Sequence, residues 1–432
     1  MGGWLARRRL RFSERVRGYA CPLAPHFDTT ATRQGSRPLP RRIPLRKVRL
    51  PEEPALTPYV REIDETGWYS NWGPLARRLE ARLAAHAGAA EGTVVAASSG
   101  TAALTTALIE ACPTGGGRYC LLPGYSFAAC PAAVLGAGLT PYFLDCDPVT
   151  GVLDPWRVRA LCRRLGDAVG AVMPVSVFGR PLDPAPWRAI QADLGVPVVA
   201  DAAWCIDTIG PDEMMQTLSL HATKALGAGE GGAILARNAG EAERLRRRLN
   251  FGFDAHRRAG LRGINGKMSE YSAAVAHAAL DRWPETRAAL ARLCDAYDAA
   301  LAEVPGLTPL RAPGETSVSG AYAVRLHAPH GRYLVQALAA HGIEARCWWQ
   351  PILPEHTAFA RYPGTPQIGC RRIAEHLVNL PMHSALGRGD VARICDTVRS
   401  VPPQCLEQST SMRPLDKSQD RRSRITKNSH GS

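Results

Sequence analysis

Lys224 lies in the stretch SLHATKALGAGEGG, Ser219 to Gly232, and it is one of only five lysines (with Lys47, Lys267, Lys417 and Lys427) among 53 Lys and Arg residues. Where positive charge alone is needed, this chain uses arginine. A guanidinium stays protonated, whereas a lysine amine in surroundings that lower its pKa can lose its proton and form a Schiff base with a carbonyl. Two other stretches supply complementary chemistry. In SSGTAALTTALIEA, Ser98, Ser99, Gly100 and Thr101 follow the apolar run GTVVAA and open an alanine-rich helical segment. The free backbone N–H groups and hydroxyls at such a helix start suit a phosphate. The run VPVVADAAW reaches Asp201, and a carboxylate at the C-terminal end of a strand in an open α/β sheet lies where ligands bind. A phosphate cup, a strand-end carboxylate and a lysine in a Ser/Thr/Gly-rich loop are the parts that pyridoxal phosphate requires: the lysine holds its carbonyl, and the carboxylate keeps its pyridine nitrogen protonated. Taken singly, each stretch has a plainer reading, as an N-cap, a turn aspartate and a surface lysine.

These residues need a sheet to carry them. Short apolar runs (GTVVAAS, RYCLLP, LTPYFLD, AVGAVMPV, VPVVAD, GGAILAR) alternate with helical segments such as FAACPAAVLGAG and APWRAIQADLG. That alternation predicts an α/β fold with a mostly parallel sheet covered on both faces. From about Ser269 the pattern turns helical, and a mixed segment containing SGAYAVRLHA, RYLVQALAAHGI and EARCWW follows. The expected organisation is a basic N-terminal extension over 1–45, a large domain over 46–300, a smaller C-terminal α/β domain over 301–405 and a polar tail over 406–432, with both tails disordered. Gly227, Gly229 and Gly232 spell G-x-G-x-x-G, but the apolar run GGAILA comes after the glycines rather than before them, so the dinucleotide-binding match is accidental.

The net charge of +14 belongs to the tails, since residues 50–405 carry 34 basic and 34 acidic side chains. A nucleic-acid-binding body is therefore not expected, and the tails read as solvated extensions or an early start codon. There is no run of about 18 apolar residues to span a membrane. The N-terminus lacks the apolar core of a secretory signal, and a cytoplasmic location is expected. Twelve cysteines without a CxxC pair or a metal-spaced Cys/His cluster predict reduced, mostly buried thiols and no metal site.

The chain resembles the DegT family of pyridoxal-phosphate-dependent sugar aminotransferases over roughly residues 45–400. The matching stretches include GWYSNWGPLARRLEARLAAHAG, SSGTAAL, LPGYSFAACPAAVLGAGLTPYFLDCDP, PVSVFGRPLD, VVADAA, SLHATKALGAGEGGAI, NFGF and GINGKMSEYSAAVAHAALD. The resemblance implies a fold-type-I architecture with a mainly parallel seven-stranded sheet, and a homodimer with active sites at the subunit interface. Lys224 looks like the Schiff-base lysine and proton shuttle, and Asp201 like the partner of the pyridinium nitrogen. Gly100 and Thr101 look like the phosphate turn, to which Ser219 adds a hydroxyl. Phe127 occupies the place of the aromatic that stacks on the ring, and Asn265 that of a residue reaching the phosphate of the neighbouring subunit. Two stretches depart from the family pattern. Trp204 stands where many members carry Gln or His near the ring hydroxyl, and CWWQPILPEH follows the sugar-site segment only loosely. The implied activity is transfer of an amino group from an amino acid, usually glutamate, to a keto sugar, expected to be nucleotide-linked, in amino-sugar biosynthesis. The alternatives are a cyclitol or other cyclic ketone as acceptor, or a non-catalytic sensory or binding paralogue.

Overall fold

The computed structural model describes residues 41–112 and 117–407. The expected tails over 1–45 and 406–432 therefore lie outside the described residues, except for 41–45 and 406–407. Seven strands form the main sheet: β1 (Val94–Ala97), β2 (Tyr119–Pro123), β3 (Thr140–Leu144), β4 (Val169–Val172), β5 (Val199–Asp201), β6 (Met215–Ser219) and β7 (Gly232–Leu235). β1, β7, β6 and β5 are neighbours in that order, as are β4, β2 and β3. Parallel bridges Val172–Val198 and Val175–Asp201 join the two sets. Only β7 runs antiparallel to its neighbours. The sheet is mostly parallel, as the alternation of strands and helices predicts, and has the seven strands that the family resemblance implies.

The strands are short and apolar because both faces are covered. In β1, β4 and β7 every residue is buried. The helix Gly100–Ala111 packs into this core, with eight of its twelve residues buried; its alanines let it approach closely. Another helix, Pro74–His86, starts against a buried carboxylate: Glu270 accepts hydrogen bonds from the N–H groups of Leu75 (2.7 Å) and Ala76 (3.0 Å). A Cβ on Gly73 would stand 2.6 Å from that carboxyl carbon. This accounts for the glycine of the NWGP stretch, while Pro74 suits the first turn of a helix.

A second, antiparallel sheet holds β8 (Leu307–Pro309), β9 (Tyr322–Leu326) and β10 (Leu377–Leu380) in the order β10–β9–β8. An antiparallel bridge Arg346–Asn379 and a parallel bridge Ile43–Ile343 extend it beyond β10. Residues 41–45, expected in the extension, thus belong to the folded body, and Ile43 is buried. The boundary expected near residue 300 falls inside the helix Trp283–Leu301. Further on the chain returns to the main sheet, where Gly364 pairs with Phe143 at the β3 edge. Among the described residues no helix is long and apolar enough to cross a membrane.

Candidate active site

Sheet register assembles the site. Asp201, the last residue of β5, pairs with Thr217 of the parallel strand β6, and Ser219 ends β6 two residues further on. Ser219 lies opposite Gly232 of β7. The Ser98–Thr101 turn sits on these strand ends, since a Cβ on Gly232 would lie 2.6 Å from the Ser99 carbonyl carbon. A Cβ on Gly100 would lie 2.9 Å from the Ser219 Cβ, so only glycine brings this turn so close to the Ser219 side chain. Ser99 caps the helix by accepting from the Ala102 N–H at 3.0 Å. The N–H groups of Gly100 and Thr101 precede the first intrahelical hydrogen bonds and remain available to an anion.

Between β6 and β7 the lysine loop closes on itself. Ala222 donates to the Gly229 carbonyl, Lys224 to the His221 carbonyl and Ala228 to the Leu220 carbonyl, all at 2.7–2.8 Å. Gly229 has φ +82°, and a Cβ on Gly227 would stand 3.0 Å from Ala222 Cα. The accidental fingerprint glycines are therefore the residues that let this loop fold. Lys224 Nζ lies 3.6 Å from the centre of the Trp204 ring. Burial pushes the Lys224 amine down to about 7, with Arg46 adding to the effect and Asp201 opposing it. An amine poised there both takes and gives a proton near neutrality.

Asp201 is held on both oxygens, Oδ1 by the Ala203 N–H (3.0 Å) and Oδ2 by the Cys130 thiol (3.0 Å). Burial and the Asp201 charge keep that thiol protonated, well above its usual range. Trp204 meets Phe178 edge to face at 6.4 Å, and Trp349 stacks on Phe178 at 4.8 Å. The Tyr125 hydroxyl donates to the Trp348 carbonyl. The divergent CWWQ segment is thus part of an aromatic wall beside Lys224. Arg46 enters this wall, with its guanidinium 4.4 Å from the Trp204 ring and 4.6 Å from the Trp348 ring, and its Nη1 donates to the Thr223 carbonyl at 2.6 Å. Burial lowers its pKa to about 10, with the charge of Arg346 adding to the effect.

The structure brings Lys224, Asp201, Ser219, Gly100 and Thr101 to one end of the sheet. Phe127 is 60% exposed. Asn265 accepts from Lys267 Nζ at 2.7 Å, in a loop whose Gly266 carbonyl accepts from the Ser98 N–H. Sequence reasoning missed Arg46 and Cys130. Arginine is this chain's default cation, and Cys130 sits in an alanine-rich run, so neither carried a signal. An aldehyde-bearing pyridine phosphate fits the donor set: a near-neutral amine, a fixed carboxylate and an amide-hydroxyl cup that no Cβ fills. Among the described residues none of the eleven cysteines forms a disulfide, and nine of them are buried. One cluster there, Asp145, Cys146 and Cys370, has metal-like spacing, where none was expected from the sequence. The Asp145 oxygens, however, already accept the N–H groups of Gly369 and Cys370.

A model of the DegT/DnrJ/EryC1/StrS aminotransferase family matches residues 52–399. The dTDP-4-amino-4,6-dideoxy-D-glucose transaminase of Shigella dysenteriae is 28% identical, over 82% of this chain and 97% of its own. The UDP-2-acetamido-2-deoxy-3-oxo-D-glucuronate aminotransferase of Pseudomonas aeruginosa is 29% identical, over 75% and 89%. The crystal structure of DesI with its TDP-sugar product is 31% identical and superposes with a TM-score of 0.73, over 84% of this chain and 92% of that one.

Proposed function

The chain belongs to the DegT/DnrJ/EryC1/StrS aminotransferase family, and from that membership we propose that it moves an amino group from an amino acid, L-glutamate in the first instance, to the ketone of a nucleotide-linked sugar in amino-sugar biosynthesis. Both curated relatives described above act on sugars carried by a nucleotide, which supports this acceptor class. The observation that carries the reading is the amine of Lys224, lowered to about 7 by burial on the strand-end side of a fixed carboxylate. Pyridoxal phosphate, when bound, supplies the electron sink and the amine carrier. In this reading Lys224 anchors the cofactor and then moves a proton at the substrate carbon. Asp201 orients the protonated ring nitrogen, while Cys130 and the Ala203 N–H hold its carboxylate still. The N–H groups of Gly100 and Thr101 and the Ser219 hydroxyl bind the phosphate. Trp204 seats the lysine with its ring face instead of donating a hydrogen bond, and Phe127 covers the ring.

The site is shared between two copies in this reading, and the protein works in the cytoplasm. Exposed aromatics support a homodimer: Phe127, Trp68, Phe251, and Tyr69 stacked on Tyr271 at 6.3 Å. Asn265 of one copy would then reach the phosphate held by the other.

The absorbance of the purified protein tests the activity. A visible cofactor band that L-glutamate bleaches and a keto sugar restores is expected, and Lys224→Ala should lose both responses. Folded, reconstituted wild-type protein without such a band would sink the reading. Mixing equal amounts of Lys224→Ala and Asn265→Ala chains should recover up to about a quarter of wild-type activity, since about half of randomly paired dimers are mixed and one of the two sites in each receives both native residues. No recovery in demonstrably mixed dimers would refute the shared site.

A further inference from the structure

Strand pairing places two arginines side by side where the sequence marks neither. Ile43 bridges Ile343 in parallel, and Arg46 and Arg346 each stand three residues beyond their bridged isoleucine. Both guanidinium groups lie against Trp348, at 4.6 Å and 5.8 Å from its ring centre. Arg46 also lies on Trp204, which carries Lys224 Nζ, and the two ring distances (4.4 Å and 3.6 Å) bound the separation of these cations at about 8 Å.

The two guanidinium groups of this cluster lack a counter-charge. Neither Arg46 nor Arg346 forms an ion pair among the described residues, and Arg46 Nε is buried without a hydrogen-bond partner. Asp201, whose charge acts on Lys224, already accepts from Cys130 and Ala203. A guanidinium removed from water without a counter-charge is costly, and folded proteins resolve such sites with a partner or a ligand. Since Nη1 is engaged by the Thr223 carbonyl, the edge left free is Nε with Nη2. That planar fork matches the two oxygens of a carboxylate.

We propose that Arg46, backed by Arg346 at the rim, binds the α-carboxylate of the amino-acid donor, the acid group on the carbon that surrenders its nitrogen. The assignment rests on the aminotransfer reading above. The reacting carbon must come to Lys224, and the separation bound puts Arg46 within reach of an acid group on that carbon. The ketone carbon of a sugar bears no such group, so the pair distinguishes donor from acceptor within one cavity. An acid group or phosphate elsewhere on the acceptor is the competing source of the same charge.

The test uses the full-length holoenzyme and reads tryptophan fluorescence, to which Trp204 and Trp348 contribute. The probes are α-methyl-L-glutamate, which has no α-proton to lose, and 4-aminobutyrate, which lacks the α-carboxylate. Wild-type protein should bind the first at least about 30-fold more tightly, and Arg46→Gln should bring the two within about threefold. Arg46→Lys should fall between, and Arg346→Gln should narrow the preference several-fold. In steady state the glutamate KM should rise with the acceptor KM unchanged. Full discrimination retained by folded, cofactor-bearing Arg46→Gln overturns the proposal. So does a change confined to the acceptor KM, which would assign the pair to the sugar. Should Arg46→Gln fail to fold, the exposed Arg346→Gln decides by the same criterion. Failure of wild-type protein to transfer nitrogen from any amino acid would instead sink the functional reading, while the two-probe comparison would still report whether a carboxylate site exists.

Discussion

A buried amine with a pKa of about 7 affects stability as well as reactivity. Between about pH 7 and 10.5 Lys224 is neutral in the folded chain and protonated in the unfolded one, so raising the pH through this window stabilises the cofactor-free protein. Below pH 7 the folded state carries a buried charge. Lys224→Met should therefore stabilise the cofactor-free protein by about 2–4 kcal/mol at pH 6, with the gap closing near pH 10.5; parallel denaturant titrations at several pH values would check this. Cys130→Ala removes one of the two donors to Asp201. It should lower kcat several-fold while the cofactor stays bound, and an unchanged kcat would show that the Ala203 N–H alone suffices. The residues legible in the sequence were those whose type is scarce or placed against expectation, a lysine in an arginine-rich chain and an aspartate closing an apolar run. Arg46 was illegible because its role depends on Trp204 and Trp348, which lie far from it in the chain and reach it only through folding.

At the scale of elements, alternating strands and helices revealed the sheet because each period follows from burial on both faces. The single antiparallel strand was not legible, because β7 is as apolar as its parallel neighbours and direction leaves no trace in composition. Glycines near the site became interpretable only with their contacts. Gly100→Ala should push the helix start off Ser219 and weaken cofactor retention about tenfold or more on dialysis, with the fold intact. Retention equal to wild type would remove the cup from the site. Glu270 serves two backbone donors at the start of Pro74–His86. Glu270→Ala should destabilise the protein by about 1–3 kcal/mol, seen as a lower midpoint in thermal melts.

For the whole molecule, the position where the folded body begins matters most. Deleting residues 1–40 should leave transamination and melting temperature unchanged, whereas deleting 1–45 removes buried Ile43 and its pairing with Ile343. Ile43→Ala alone should cost about 2–4 kcal/mol. Loss of activity in a folded 41–432 chain would assign the basic segment a role in the reaction. The strand order also sets a timetable for biosynthesis. Among the described residues the only strand paired with fully buried β1 is β7, Val94 opposite Leu235, and Ala97 is bridged as well by Lys267, later still in the chain. At about 5–20 residues per second, a ribosome needs roughly 7–28 s to add the intervening chain. Throughout that interval the nascent polypeptide carries an unpartnered apolar strand, a natural client for a holdase chaperone. The phosphate cup that follows β1 cannot be completed until translation has passed β7.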